Sequence, residues 1–313
     1  MTVSHLLGAA SAAALLAASG MSHTASAASL IFSTEQPEAV DGPNGTTTRF
    51  ADDDFVRYDL DTQIGVIEIT GSDINPDPSP SVGLPDPNAV FVGDNGDGNL
   101  IFSLQSGSAG FPGFNDDDLV EFDRLTGDLS LFFSFDEVMV ADGGRDVDVD
   151  GFHLNEDGTF LVANTFDFTL GGMDFENGDI AVYDPVTDMS SELFSESLFG
   201  GADARVTSIS LTEDSKIVLS AENEDNGADD LTLGGLTFGR GDLVAYDPLT
   251  GQASLIYDAA NFTSGTATFD AVHYIASVPM APVPVPAGGV VLLTALGGLG
   301  ALRHRKRRCA PVL

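Results

Sequence analysis

Short apolar runs of about four residues recur along most of the chain, each bounded by clusters of Gly, Asp, Asn and Thr. Runs of this length between turn residues predict β-strands. One phrase recurs: Asp54-Phe55-Val56-Arg57-Tyr58-Asp59, Asp118-Leu119-Val120-Glu121-Phe122-Asp123, Asp179-Ile180-Ala181-Val182-Tyr183-Asp184 and Asp242-Leu243-Val244-Ala245-Tyr246-Asp247. Each copy opens on Asp, runs through an apolar strand and closes on an aromatic residue followed by Asp. A Thr follows at Thr62, Thr126, Thr187 and Thr250. The repeat is about 62 residues long, and a fixed period of this size marks stacked structural units. Between two apolar runs, Asp247-Pro248-Leu249-Thr250-Gly251 is a tight turn: Asp bonds backbone N–H groups, Pro presets φ and Gly accepts a positive φ. Strand, turn and strand make a hairpin whose arms we label C and D.

Two further strand types complete the repeat. Type B is Leu30–Ser33, Leu100–Ser103, Phe160–Ala163 and Ile217–Ser220. Type A is Ala89–Val92, Gly151–Leu154, Ser208–Leu211 and Ala271–Tyr274. The chain order is B-C-D, then A-B-C-D three times, then a final A. A β-propeller blade is a four-stranded antiparallel sheet, and such rings close by pairing strands from the two chain ends. The Tyr-Asp-x-x-Thr-Gly turn also resembles turns in many bacterial propellers. The expected fold is therefore all-β: a four-bladed β-propeller-like body, nearly without helices, in which Leu30–Ser33 pairs with Phe269–Ile275. The main alternative hides a degenerate extra blade in Thr70–Pro87 or in a long B–C loop. Those B–C connections read as Gly/Asp-rich loops, and Thr169–Phe175 matches Thr232–Phe238.

The two ends differ from the body. Residues 6–20 are Leu, Ala, Gly and Ser, and Ala25-Ser26-Ala27 follows with small residues at Ala25 and Ala27. This pattern predicts a secretory signal peptide over 1–27, cut by signal peptidase after Ala27, although no Lys or Arg precedes the apolar run. The competing reading, an apolar first strand, conflicts with the low strand propensity of Ala. At the other end, residues 278–286 are a Pro-rich linker, 287–302 are apolar, and 303–313 open with the basic cluster Arg303–Arg308. Sixteen apolar residues are short for a membrane helix but fit a thin bilayer, with the basic tail cytoplasmic. The domains are thus a signal peptide, a propeller-like body over 28–277, a linker, a transmembrane helix and a basic tail.

Charge narrows the function classes. Five of the 12 Lys and Arg lie in the tail cluster and all 48 Asp and Glu lie in the body, which carries a formal charge of −41 (7 − 48). A phosphate backbone would be repelled, so nucleic acid is excluded as a partner. Such a charge favours solubility and cation association. The lone cysteine, Cys309, is in the tail. A body of about 250 residues buries a full core without disulfides.

Candidate chemistry is sparse. Asp146-Val147-Asp148-Val149-Asp150-Gly151 fits the start of a calcium loop, with Asp146, Asp148 and Asp150 as ligands and Ca2+ as the cofactor they would take. The twelfth position calls for Glu and holds Asp157. The same residues enter a type A strand, where alternating Asp and Val describe a half-exposed strand, and this is the preferred reading. Asp94–Asn99 resembles a cation loop with the wrong ligand spacing. The triplets Asp52–Asp54 and Asp116–Asp118 place three carboxylates together. Their last members recur as Asp179 and Asp242, where no triplet exists, so Asp54, Asp118, Asp179 and Asp242 are read as structural turn caps. The body's two histidines share one repeat position, in Asp150-Gly151-Phe152-His153 and Asp270-Ala271-Val272-His273. Residues three apart on a flat strand face opposite sides, so neither Asp/His pair shares a metal or a proton. Blade packing or channel lining is the expected role.

Val283-Pro284-Val285-Pro286-Ala287, then an apolar stretch, then Arg303–Arg308, resembles the PEP-CTERM family of bacterial sorting signals. It is closest to the Val-Pro-Leu-Pro-Ala variant, with Val285 in place of Leu. The resemblance covers about residues 279–309. It implies recognition and processing by an exosortase-type membrane enzyme in a Gram-negative, exopolysaccharide-making cell. It also implies inner-membrane anchoring before processing and a surface or extracellular destination afterwards. The body looks like the exported domains joined to such tails, and fold alone assigns no activity. Two functions remain. The first is a non-enzymatic surface or matrix scaffold that binds cations or polysaccharide. The second is an extracellular propeller hydrolase or lyase, which requires Asp150, Asp270, His153 and His273 to converge in one concave site.

Overall fold

The computed structural model describes residues 28–74, 87–92, 99–104, 114–115, 118–145, 147–224, 230–265 and 267–277. All belong to one compact unit, Ala27–Ser277. The signal-peptide residues Ala25 and Ala27, the sorting motif at 283–287 and the apolar stretch 287–302 lie outside the described residues. Among those described, no helix is long and apolar enough to cross a membrane.

Strands dominate the regular structure of the described residues, which otherwise hold four short 3-10 turns and one four-residue α-helix, α1 (Gly71–Ile74). In order come β1 (Ser29–Thr34), β2 (Glu38–Asp41), β3 (Thr47–Phe50), β4 (Phe55–Asp59) and β5 (Ile64–Ile69), then β6 (Pro87–Val92), β7 (Leu100–Leu104), β8 (Asp118–Phe122) and β9 (Leu129–Ser134). Next are β10 (Met139–Ala141), β11 (Val149–Leu154), β12 (Phe160–Asn164), β13 (Phe168–Leu170), β14 (Met173–Phe175), β15 (Ile180–Asp184) and β16 (Met189–Phe194). Last are β17 (Ala204–Leu211), β18 (Ile217–Asn223), β19 (Asp230–Leu233), β20 (Leu236–Gly239), β21 (Leu243–Asp247), β22 (Gln252–Tyr257) and β23 (Phe269–Ile275).

Four sheets of four strands carry the expected A-B-C-D order: β23-β1-β4-β5, β6-β7-β8-β9, β11-β12-β15-β16 and β17-β18-β21-β22. The first sheet joins the two ends of the body, with β1 antiparallel to β23 and Ile31 opposite His273. The type A strands β6, β11, β17 and β23 touch in turn, and β23 returns to β6, so they enclose a common axis. β11 and β23 also touch directly across it. This is a propeller-like arrangement.

Each sheet repeats its irregularities as well as its strands. The registers skip Asn88, Asp150, Thr207 and Asp270 at the start of the type A strands. They skip Glu68, Phe132, Leu193 and Ile256 near the end of the type D strands. A bulge adds one residue to one strand and increases its twist. The innermost strands are therefore not flat, and the alternation assumed for Asp150 and His153 breaks at Asp150. Gly151 follows because a Cβ there would meet the Ile209 Cγ1 of the neighbouring sheet at 2.9 Å.

The B–C connections, expected as loops, contain hairpins: β2–β3, β13–β14 and β19–β20. In two of them the turn is Gly-Gly with both residues at positive φ: 55° and 78° at Gly171 and Gly172, 56° and 84° at Gly234 and Gly235. Two consecutive positive φ values make the turn that matches strand twist, and glycine takes them without strain. The first glycine of each pair lies against the type D strand of its own sheet, where a Cβ would meet Ser190 N at 2.6 Å or Ala253 N at 2.5 Å. The hairpins bury apolar faces: Phe168 and Phe175 stack at 5.1 Å, beside Leu170 and Met139.

The repeated Asp explains how the sheets keep their edges. Asp179 accepts from Glu176 N at 2.9 Å and Glu196 N at 2.8 Å, and Asp242 from Gly239 N and Ala259 N, both at 2.8 Å. Asp54 accepts from Ala51 N at 2.9 Å and Gly71 N at 3.3 Å, and Asp118 from Asn115 N at 2.8 Å. One carboxylate thus closes the turn before strand C and, in three sheets, holds the chain leaving strand D. The turn-cap reading of these residues is borne out. The second Asp of the phrase shapes the C–D turn: Asp247 Oδ1 accepts from Leu249 N at 2.9 Å and Thr250 N at 3.3 Å.

Asp179→Ala strands two backbone donors in a residue only 5% exposed. The expected loss is about 2–3 kcal/mol by urea unfolding, with Asp179→Asn losing less because one acceptor remains. Tyr257 is the opposite case. It packs among Phe32, Tyr58, Phe262 and Phe269, and its hydroxyl is buried without a hydrogen-bond partner. The third sheet has Phe194 at this register position, opposite Ile180 as Tyr257 is opposite Leu243. Tyr257→Phe is therefore expected to raise stability by about 1 kcal/mol, because it removes an unsatisfied buried polar group.

Candidate functional site

The bulged starts of the type A strands and the B–C hairpins lie at one end of the ring, and a run of partly buried paired charges gathers there. Arg205, on β17, pairs with Glu222 on β18 and stands 3.8 Å from Asp150 Oδ2 and 3.9 Å from Glu224 Oε1. Arg240, just before β21, continues the series: its Nε lies 3.2 Å from Glu222 Oε2 and its terminal nitrogen 2.6 Å from Glu35 Oε2. Arg240 Nε also donates to Thr268 Oγ1 at 2.5 Å. Glu35 follows β1 and Thr268 precedes β23, so one guanidinium holds both strands that close the ring. The ladder Asp150–Arg205–Glu222–Arg240–Glu35 links the third, fourth and first sheets.

Burial sets the protonation of this ladder. It pushes the Asp150 carboxyl up to about 8, against the pull of Arg205 and with Asp148 adding to the rise. Burial opposes the charge on Arg205, yet Asp150, Glu222 and Glu224 together hold its guanidinium above the ordinary value. Asp150 Oδ1 accepts from Thr165 Oγ1 at 3.0 Å.

An open cleft of about 720 Å³ adjoins the ladder, lined by Asp142, Asp167, Glu176, Glu196, Asp203 and Glu224, with Asn177 and the Arg145–Phe166 pair. The Arg145 guanidinium carbon sits 4.4 Å from the centre of the Phe166 ring. Burial, then the neighbouring Glu176 and Asp203, push Glu196 up to about 7, although Ala204 N donates to it. A second cleft, of about 490 Å³, opens at the opposite end, beside Lys216, Ile256 and Tyr274.

Deeper along the axis, His153 on β11 and His273 on β23 face each other from opposite sheets. Their ring centroids are 6.1 Å apart and the planes differ by 18°. Burial lowers His153 to about 4 and His273 to about 3, the latter helped by His153 and Arg57. Both imidazoles are therefore neutral at physiological pH. At the same repeat position the fourth sheet has Ser210, whose Oγ accepts from Tyr274 N at 2.9 Å.

The residues singled out from sequence separate accordingly. Asp146 lies outside the described residues. Asp148 precedes β11; its N–H donates to Asn164 Oδ1 at 2.9 Å and its carbonyl accepts from Thr165 N at 3.0 Å. Asp150 enters the strand, as preferred, and faces Thr165 and Arg205. Among the described residues no three His, Cys, Asp or Glu side chains gather as a metal-holding group. His153 and His273 do meet, and both line the axis as expected. The ladder was not foreseen: its residues are far apart in sequence, and only the scarcity of basic residues in the body hinted that each had a fixed partner.

No family model matches the chain, and no curated protein matches it. Solved structures resemble it distantly. A nidogen/laminin complex is 8% identical with a TM-score of 0.37, covering 81% of this chain and 100% of that one. A catalytically inactive virginiamycin B lyase from Staphylococcus aureus, with quinupristin, is 11% identical with a TM-score of 0.28, covering 83% and 75%. The extracellular domain of a one-component system from B. thetaiotaomicron is 11% identical with a TM-score of 0.28; the match covers 72% of this chain and 29% of that protein's. None of these likenesses assigns an activity or a ligand.

The raised Asp150 carboxyl has a measurable consequence. Its folded value is about 8 against 3.8 for the free group, so the folded state holds the proton more tightly than the unfolded chain. This contribution to stability is fully present below about pH 4 and is lost as the pH rises through 8. Asp150→Asn is expected to flatten the fall in urea midpoint between pH 5 and pH 9. An unchanged slope would show that Asp150 ionises normally.

Proposed function

We propose that this chain is an exported, four-bladed β-propeller that serves as a non-enzymatic binding scaffold for cations or polysaccharide at the cell surface or in the extracellular matrix. One observation carries the reading. Of the seven basic side chains in the body, Arg57, Arg124, Arg205, Lys216 and Arg240 are held in ion pairs and Arg145 lies over Phe166. The remaining carboxylates have almost no internal counter-charge, so cations from the medium must balance them. The acidic cleft beside the ladder gives such ligands a concave place to bind. Four sheets with their type A strands around one axis support the blade count. The signal-peptide pattern over 1–27 and the tail over 278–313 support export, anchoring at the inner membrane, and processing at Val283–Ala287 by an exosortase-type enzyme.

The second reading, an extracellular hydrolase or lyase, is favoured by one feature, the meeting of His153 and His273 across the axis. Asp150 is instead engaged with Arg205 and Thr165, and neither open cleft is lined by the histidines.

Two measurements test the scaffold. Ca2+ at micromolar to millimolar concentration is expected to raise the melting temperature beyond what Na+ gives at equal ionic strength, because an ion bound only by the folded state stabilises it. Equal gains with both ions would reduce the effect to screening and remove the specific site. Intact-mass analysis of protein recovered from a host with the sorting enzyme is expected to show loss of residues beyond about Pro286. A mature form that keeps Arg303–Leu313 would leave a plain membrane anchor.

A further inference from the structure

We propose that Glu176 and Glu196 form a pH-sensitive latch at the joint between the third and fourth sheets, closed while their carboxyl groups share one proton and released when that proton leaves. The repeated Asp puts them side by side. One Asp179 oxygen accepts from Glu176 N at 2.9 Å and the other from Glu196 N at 2.8 Å. At these two positions the first sheet has Ala51 and Gly71, and the fourth has Gly239 and Ala259, all small and uncharged. The third sheet places glutamates at both, one on the turn before β15 and one on the connection from β16 to β17. From there Glu196 Oε1 accepts from the N–H of Ala204, the first residue of β17, at 3.0 Å. Gly178 leaves the room this needs, since a Cβ there would collide with Glu196 Cγ and Ala204 O. The same turn grips the fourth sheet again: Val206 N donates to Asn177 O at 3.4 Å and Asn177 Nδ2 donates to Glu224 Oε2 at 3.0 Å. Arg205, the centre of the ladder, lies between Ala204 and Val206, so the latch holds the strand that carries it.

The charges around the pair explain its response. Two neighbouring carboxylates repel when both ionise, and a proton held between them turns the repulsion into a hydrogen bond. Burial, opposed by the bond from Ala204 N and reinforced by the charges of Glu176 and Asp203, pushes Glu196 up to about 7, and its hydrogen bond with Glu176 adds to the rise. Asp142, Asp167 and Glu224 line the same cleft and add negative charge, which Arg145 offsets in part from its place over Phe166. Glu176 is exposed and Glu196 half-buried, so the proton passes directly to solvent. The folded value of about 7 exceeds the ordinary 4.5. The proton's contribution is therefore fully present below about pH 4.5 and is lost as the pH rises through 7. The joint is tight in mild acid and loosens just above neutrality, where the cleft widens.

Hydrogen exchange of the full-length protein at pH 6 and pH 8, corrected for the base-catalysed intrinsic rate, reads the latch at residues 196–206. An Asp150→Asn background removes the second carboxyl expected to titrate in this range. Protection at 196–206 is expected to fall about tenfold over the interval, the ratio that linkage gives for a group titrating near 7. Glu196→Gln, neutral at every pH, is expected to abolish the fall. Carbon-13 labelling of the glutamate carboxyls leaves Asp150 out of view and needs no such background. It is expected to show one resonance titrating near 7, absent in Glu196→Gln and moved towards 4.5 in Glu176→Gln. Constant protection between the two pH values, or a fall that survives Glu196→Gln, overturns the latch. A resonance that Glu176→Gln leaves in place also overturns it, because burial alone would then hold the proton. The latch belongs to the joint between sheets, and the scaffold reading stands or falls separately.

Discussion

The antiparallel pairing of β1 with β23 is the constraint on which the rest depends. Without it the first sheet would keep only three strands and the last strand of the body would have no sheet of its own. Two long apolar edges would then be left open, a standing invitation to wrong pairing. With it, β23 takes the innermost position in the first sheet and meets β6 and β17 on either side. The axis exists only because that strand, the last in the body, is placed there. The pairing also joins residues more than two hundred positions apart, so loop-closure entropy opposes it until the other three sheets are in place.

Charge reinforces closure at the end of the ring where it is most needed. Arg240 reaches the residue after β1 and the residue before β23 at once, and Glu222 joins it to Arg205 and so to the third sheet. Partly buried ion pairs of this kind add little net stability compared with apolar packing, because desolvation offsets their attraction. Their geometric demands are strict, and in a body with seven cations against 48 anions Arg205 and Arg240 each serve more than one carboxylate. The same imbalance leaves the outer surface dependent on ions from outside, the link between this fold and the binding role proposed for it.

The repeated bulges connect the fold to its axis. Each type A strand takes its extra residue at the same place, which twists the strand and breaks strict alternation. Asp150 turns toward Arg205 of the next sheet, while His153, three residues on, meets His273. Two residues of one short segment thereby serve different structures: an ion ladder at the mouth and an imidazole pair within.

The sequence by itself determined the repeat, the four strand types, their order, the end pairing and the capping role of Asp54, Asp118, Asp179 and Asp242. These are local matters: apolar runs between turn residues and carboxylates beside backbone donors read the same wherever the chain goes. It did not show the B–C hairpins as strands, although Gly171-Gly172 and Gly234-Gly235 carried the turn signal, because three- and four-residue arms are too short for periodicity to register. Nor could it show Arg240 clasping Glu35, or His153 facing His273. Both follow from which sheets stand next to or opposite one another, and that is settled only when β23 closes the ring and brings distant parts of the chain within reach.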